Sequence, residues 1–119
     1  MKKRFLILAA TSLFISLQGY SQKTQMKIAQ NSVGKLQAAI SSGKDKNSQL
    51  SIIGEGIKAV ESAQKDRRTK NWPETWAINS YLSSYIAVID PNEANADKYY
   101  SIAISTLDSA KKLDRFNNN

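Results

Sequence analysis

The chain has 119 residues with 17 Lys and Arg against 10 Asp and Glu, for a net charge of +7 and an isoelectric point near 9.7. It contains no Cys and no His, which excludes disulfides, a lipidated cysteine, thiol and imidazole catalysis and ordinary zinc sites. A chain of this length holds one domain, near the lower end of what buries a self-sufficient core.

MKKRFLILAATSLFISLQGYSQ opens the sequence with Lys2, Lys3 and Arg4, follows with an apolar run from Phe5 to Leu17, and ends on small or polar residues around Gly19 and Ser21. Positive head, short apolar middle and small-residue end are the marks of a Sec-type signal peptide. The run is shorter than the ~20 residues of a transmembrane helix, so a retained anchor is the weaker reading and no stable membrane insertion is expected after processing. Cleavage is expected between Ser21 and Gln22. Losing residues 1–21 lowers the net charge from +7 by three, to +4, and leaves residues 22–119 as a helical domain expected in the periplasm or outside the cell.

Ile28, Val33, Leu36 and Ile40, with Ala29 and Ala39 between them, line one face of a first helix over 24–42. Turn chemistry follows in SSGKDKNS, where Gly43 suits a left-handed stop. Leu50, Ile53, Ile57, Val60 and Ala63 make a second helix over 48–66. Gly54 and Gly56 each cost this helix about 1 kcal/mol relative to Ala, and Gly56 is read as a point of close approach by another helix. The cluster KDRRTK at 65–70 can bind nucleic acid or another anion, but cations also favour a helix C-terminus. No aromatics interleave with them, so a nucleic-acid partner is not expected.

TKNWPETW, residues 69–76, joins the two halves. Pro73 fits the first turn of a third helix, which carries Ile78, Leu82, Tyr85, Ile86 and Ile89. Trp76 is expected to pack between hairpins and Trp72 to staple the junction from outside, although an aromatic pair could instead grip a ligand. In DPNE, Asp90 can cap a fourth helix with Pro91 at its first position and Glu93 closing a capping box. That helix runs through Tyr99, Tyr100, Ala103, Leu107, Ala110 and Leu113.

The halves repeat. An offset of 47 aligns Gly56 with Ala103, Ile57 with Ile104, Val60 with Leu107 and Ala63 with Ala110; an offset of 49 aligns Ala29 with Ile78, Val33 with Leu82, Leu36 with Tyr85 and Ile40 with Ile89. One helical hairpin is written twice. The expected fold is all-α, four helices in two antiparallel hairpins, with Gly56, Val60, Ala63, Trp72, Pro73, Trp76, Ala103, Leu107 and Ala110 packing between units.

With Trp76, Ser80, Ala103, Leu107 and Ala110 at matching places, the chain resembles the tetratricopeptide repeat, and RRTKNWPETW at 67–76 is similar to segments of exported bacterial repeat proteins. Asn79, Ser83 and Arg115 depart from the motif, and Trp76 lies farther from Ala103 than the motif places it. The resemblance implies a right-handed helical array and a non-catalytic protein-binding scaffold without cofactor or metal. Its first helices would line the binding face, with Lys27, Gln30, Asn31, Lys35, Asn79 and Ser83 as candidates for an extended or acidic peptide. Because repeat domains usually need three units, a homodimer or the front part of a longer self-associating array is an alternative. Another is a small glycan carrier stacking sugars on Tyr81, Tyr85, Tyr99 and Tyr100. The carboxylates Asp90, Glu93 and Asp97 are explained by capping and solvation without a metal. No serine lies in a nucleophile elbow and no phosphate-binding glycine loop occurs, so no enzyme is expected.

Overall fold

The computed structural model describes residues 24–117, and side chains through Arg115; the expected leader and its cleavage point lie outside the described residues. Four helices and no strand occur among them: α1 (Thr24–Ser41), α2 (Lys46–Lys65), α3 (Pro73–Ile89) and α4 (Glu93–Asn117). α1 packs along α2 and α3 along α4, making two hairpins. α2 also packs on α3, α1 meets α3 lightly, and among the described helices α3 alone reaches α4. No helix among the described residues is long and apolar enough to cross a membrane.

The boundaries follow local chemistry. Gly43 has φ of 74°, and around it Lys44 N–H donates to Ala39 O at 2.9 Å and Gly43 N–H to Ile40 O at 3.2 Å, the paired bonds of a Schellman stop. Asp45 begins α2 by accepting from Ser48 N–H at 2.8 Å. Pro73 occupies the first turn of α3 behind Trp72, whose own side chain caps nothing. The fourth helix departs from expectation. Its cap is Asn92, which accepts from Asn95 N–H at 3.0 Å, while Asp90 ends α3 and turns its carboxylate to Asn92 N–H at 2.9 Å. Two capping side chains two residues apart divide the work, and Pro91 lies in the turn between them.

The core is formed by Met26, Ala29, Val33 and Leu36 of α1, Ile53, Ile57, Ala59, Val60 and Ala63 of α2, and Ile78, Tyr81, Leu82 and Ile86 of α3. Gly56 is where three helices converge. A Cβ there would lie 2.7 Å from Leu82 Cδ1 and 2.7 Å from Ser32 Cβ. In the second hairpin the comparable crossing brings Ser80 Oγ to within 2.6 Å of Ala103 O, to which it donates. Ser32 with Gly56 and Ser80 with Ala103 therefore set the register of the repeat: 47 between the second helices, as expected, but 48 between the first helices rather than 49. The reason is that α3 is sandwiched between α2 and α4 and buried on nearly every side, so its bulky residues do not mark a single face.

The junction is held by threonines rather than tryptophans. Thr69 and Thr75 are fully buried; Thr69 Oγ1 donates to Ala63 O at 2.7 Å, and Thr75 Oγ1 to Thr69 O at 2.7 Å. Thr75 Oγ1 also lies 3.3 Å from Met26 Sδ of α1. Trp72 is half-buried against the core. Trp76 is half-buried too, at the α2–α3 rim beside Glu61, Gln64 and Lys65, with Nε1–H donating to Lys70 O at 2.7 Å. Pro73, Val60, Ala63, Ala103, Leu107 and Ala110 are buried.

Glycines at 54 and 56 give opposite expectations. Gly54 has open space around its Cβ direction, so Gly54→Ala should raise stability by about 0.5–1 kcal/mol through helix propensity alone. Gly56→Ala gains the same propensity but forces α1 or α3 outward, and overpacking of about 1–3 kcal/mol should make it net destabilising. Chemical denaturation midpoints for the two variants should move in opposite directions.

Candidate interaction surfaces

Of the six residues expected to line a binding face, four are on α1. Lys27, Asn31 and Lys35 are exposed and Gln30 is half-buried, with its Nε2 buried and unbonded. The other two are not on a surface. Asn79 and Ser83 are buried in a polar relay in which Ser83 Oγ donates to Asn79 Oδ1 at 2.8 Å and Asn79 Nδ2 donates to Gln64 Oε1 of α2 at 2.5 Å. Burial is tolerated because each polar atom finds a partner. Asn79 therefore ties α3 to α2 while Ser83 holds its amide, and both are withdrawn from the binding face, because α4 and α2 cover α3 from both sides.

The surface that remains continues from α1 over the tip of the first hairpin. There the α1 and α2 backbones leave a hollow of about 330 Å³ lined by Lys35, Ala38, Ala39, Ser42, Lys44, Ser48 and Ile52. Its walls combine an apolar floor (Ala38, Ala39, Ile52) with two ammonium groups and two hydroxyls. Lys35 faces Glu55 at 3.7 Å with both side chains about 60% exposed, a solvent-screened pair contributing little. Asp45 nearby holds its carboxyl below the usual range through its hydrogen bonds with Ser48, helped by Lys44, so this acid is engaged by the helix start. Lys44, Ser48 and Ile52 were not among the candidates expected from sequence. Only the proximity of the α2 start to the α1 end adds them, and the hairpin turn at Gly43 is the signal for it.

Other features are less suited to binding. The basic turn at Lys65–Arg68 borders an open hollow of about 600 Å³, but Arg68 is committed to Asp66, its Nη2 lying 3.1 Å from Oδ2, a contact that raises the guanidinium pKa. The tyrosines offer no common stacking floor. Tyr81 is buried and packs at a tilt on Tyr85, with ring centroids 6.3 Å apart; Tyr85 and Tyr99 lean on the main core, and Tyr100 on Ala103 and Leu107. No group of three or more potential metal ligands occurs among the described residues.

Glu74, in the first turn of α3, is only 4% exposed, and its Oε2 has no hydrogen-bond partner. Desolvation raises its pKa, a backbone hydrogen bond opposes the rise, and the charge of Asp114 on α4 adds to it. A first-turn acid reads in sequence as an exposed partner of the helix dipole, so nothing there marks it as buried.

Comparison of the chain with family models, with characterised proteins and with solved structures returns no match.

The pH consequence of Glu74 is definite in sign. Its folded pKa is raised above its unfolded one, so above the ordinary value of 4.5 the unfolded chain gives up this proton before the folded one does, and stability falls as pH climbs through the folded pKa. Glu74→Gln removes that loss. The melting temperature of the variant should exceed that of the parent at pH 7, and the difference should shrink toward pH 4.

Proposed function

We propose that this chain is an exported, non-catalytic helical-hairpin module, similar in plan to the tetratricopeptide repeat, that binds an acidic protein segment over the α1 surface and the tip of the first hairpin. The reading is supported above all by the hollow at that tip, where Lys35 and Lys44 flank the apolar floor of Ala38, Ala39 and Ile52. An extended peptide can set an apolar side chain on that floor while its carboxylates meet the two ammonium groups. Lys27 and Asn31 continue the polar row along α1. The leader-like N-terminus of the sequence supports export to the periplasm or beyond.

Long-range charge attraction steers such a ligand and makes its affinity fall with salt. The small floor limits the apolar contribution to a single anchoring side chain. Micromolar or weaker binding to a short segment follows, with the sequence preference set by charge and one apolar position.

Fluorescence anisotropy with a labelled peptide of glutamates around one leucine tests this. Binding should weaken as sodium chloride rises from 20 to 300 mM, and Lys35→Glu with Lys44→Glu should lower affinity by about tenfold or more, since each exposed pair is worth about 0.2–1 kcal/mol and reversal adds repulsion. Lys112→Glu, on the far hairpin, should leave it unchanged. Equal affinity for a neutral peptide of the same length, or no effect of the double reversal, would remove this assignment.

A further inference from the structure

The two hairpins repeat, but their outer ends differ. α2 turns Ile53, Ile57, Val60 and Gln64 toward one side, and α3 covers that side: all three apolar residues are buried and Gln64 accepts from Asn79. The repeat offset of 47 carries these positions to Tyr100, Ile104, Leu107 and Lys111 of α4. Among the described helices only α3 packs on α4, and of these four side chains Leu107 is already buried and Tyr100 half-buried. Ile104 is 47% exposed, against 7% for Ile57, and with Ser105, Leu107, Asp108 and Lys111 it lines an open hollow of about 270 Å³.

The outer face of α1 differs. With the register of 48, the α3 residues Asn79 and Leu82 that dock on α2 correspond to Asn31 and Gly34 of α1, both exposed. A second chain stacked head to tail would therefore bring Lys27, Asn31 and Gly34 against Ile104 and Lys111, setting cation against cation and leaving Ile104 without an apolar partner. That arrangement is disfavoured.

α4 is complementary to itself instead. Glu93, Asp97, Tyr100, Ile104, Leu107 and Lys111 recur at four and three residues along one stripe, the spacing of a helix–helix seam, and Arg115 continues it. The stripe is acidic at its N-terminal end, apolar in its middle and basic at its C-terminal end. Two such helices laid antiparallel about Ile104 place Ile104 on Ile104 of the second copy. They set Asp97 opposite Lys111, Glu93 opposite Arg115, and Tyr100 within reach of Asp108. The same pairs form twice across a two-fold axis, as an isologous interface requires, and the two helix dipoles oppose.

We infer that the α4 face is a homodimer interface, occupied by α4 of a second copy in antiparallel register centred on Ile104. The inference rests on the hairpin repeat and on the charge order along α4; it does not depend on the acidic-peptide reading, whose surface lies on the first hairpin. The apolar centre is small, so the dimer is weak and concentration-dependent.

Sedimentation equilibrium of the full chain, from about 5 µM to 1 mM, should show a monomer–dimer equilibrium that weakens with salt. Ile104→Glu should abolish the dimer while far-ultraviolet circular dichroism and the melting temperature of the monomer stay close to the parent. Asp97→Lys and Lys111→Glu should each weaken association by about fivefold or more, and the two together should restore it, because the exchanged charges again face each other. A monomer at every concentration would overturn the inference. So would a dimer indifferent to Ile104→Glu, or a double exchange no better than its single components. Peptide binding measured on Ile104→Glu separates the two proposals, since it should persist in the monomeric variant.

Discussion

The structure turns on the missing side chain at Gly56. Among the described helices, α2 alone packs closely on both α1 and α3, and at Gly56 both neighbours reach its backbone at once, Ser32 from one side and Leu82 from the other. A methyl group there would have to displace one of them. The cost of glycine in a helix, about 1 kcal/mol, is offset by the dispersion contacts that close approach permits where α1 and α3 meet α2. With α2 fixed between its neighbours, the register of both hairpins follows. α3 cannot rotate without losing the contact at Leu82, and its other side, carrying Ser80, is then presented to Ala103 of α4.

The junction between the hairpins obeys a second constraint, the satisfaction of buried polar groups. The chain leaving α2 at Asp66 is mostly exposed but turns Thr69 inward, beneath the start of α3. Thr69 donates to Ala63 O and Thr75 donates to Thr69 O, so each buried hydroxyl finds an acceptor on a carbonyl that also receives a backbone N–H, from Asp66 and Trp72 respectively. A buried hydroxyl left without an acceptor at either place would cost about 1–3 kcal/mol. The tryptophans of the same stretch serve the rim, and Trp76 adds one more such bond by donating to Lys70 O. In this short segment the small hydroxyl residues hold the angle between the hairpins and the large aromatics seal its edge.

Much of this was legible in the sequence, and the parts that were not share a cause. Helices, the Gly43 stop, the Pro73 start and the close approach at Gly56 each rest on a local conformational or steric requirement, and such requirements are written into single residues. Asn79, Ser83, Thr69, Thr75 and Glu74 were read as surface or passed over, because their polarity argues for exposure and only tertiary contact reveals their burial. α3 illustrates the point best. Its serines and asparagine look like a solvated face, yet bonds such as Ser83 to Asn79 and Ser84 to Tyr81 O satisfy them inside the stack. The cap of α4 failed for a narrower reason: Asp90 and Asn92 are both competent, and the choice depends on where α3 ends. In the candidate site the lysine of α1 was visible, while Lys44 and Ile52 entered only when the hairpin folded them beside it.

The outer faces of the two described hairpins carry different chemistry. On α1 the positions that would receive a preceding hairpin carry Lys27, Asn31 and Gly34, residues that water solvates without penalty, and the exposed apolar side chain of this helix, Ile40, lies near its C-terminal end. On α4 the positions that would receive a following hairpin keep Tyr100, Ile104 and Leu107, and the isoleucine at their centre stays largely in solvent. The repeat offset makes the comparison controlled, since Ile57 and Ile104 occupy equivalent places on equivalent helices and differ chiefly in whether a helix lies above them. A mainly polar outer face on α1 and an apolar, charge-ordered stripe on α4 make the two hairpins unequal although their sequences repeat, and that asymmetry is what both proposals rest on.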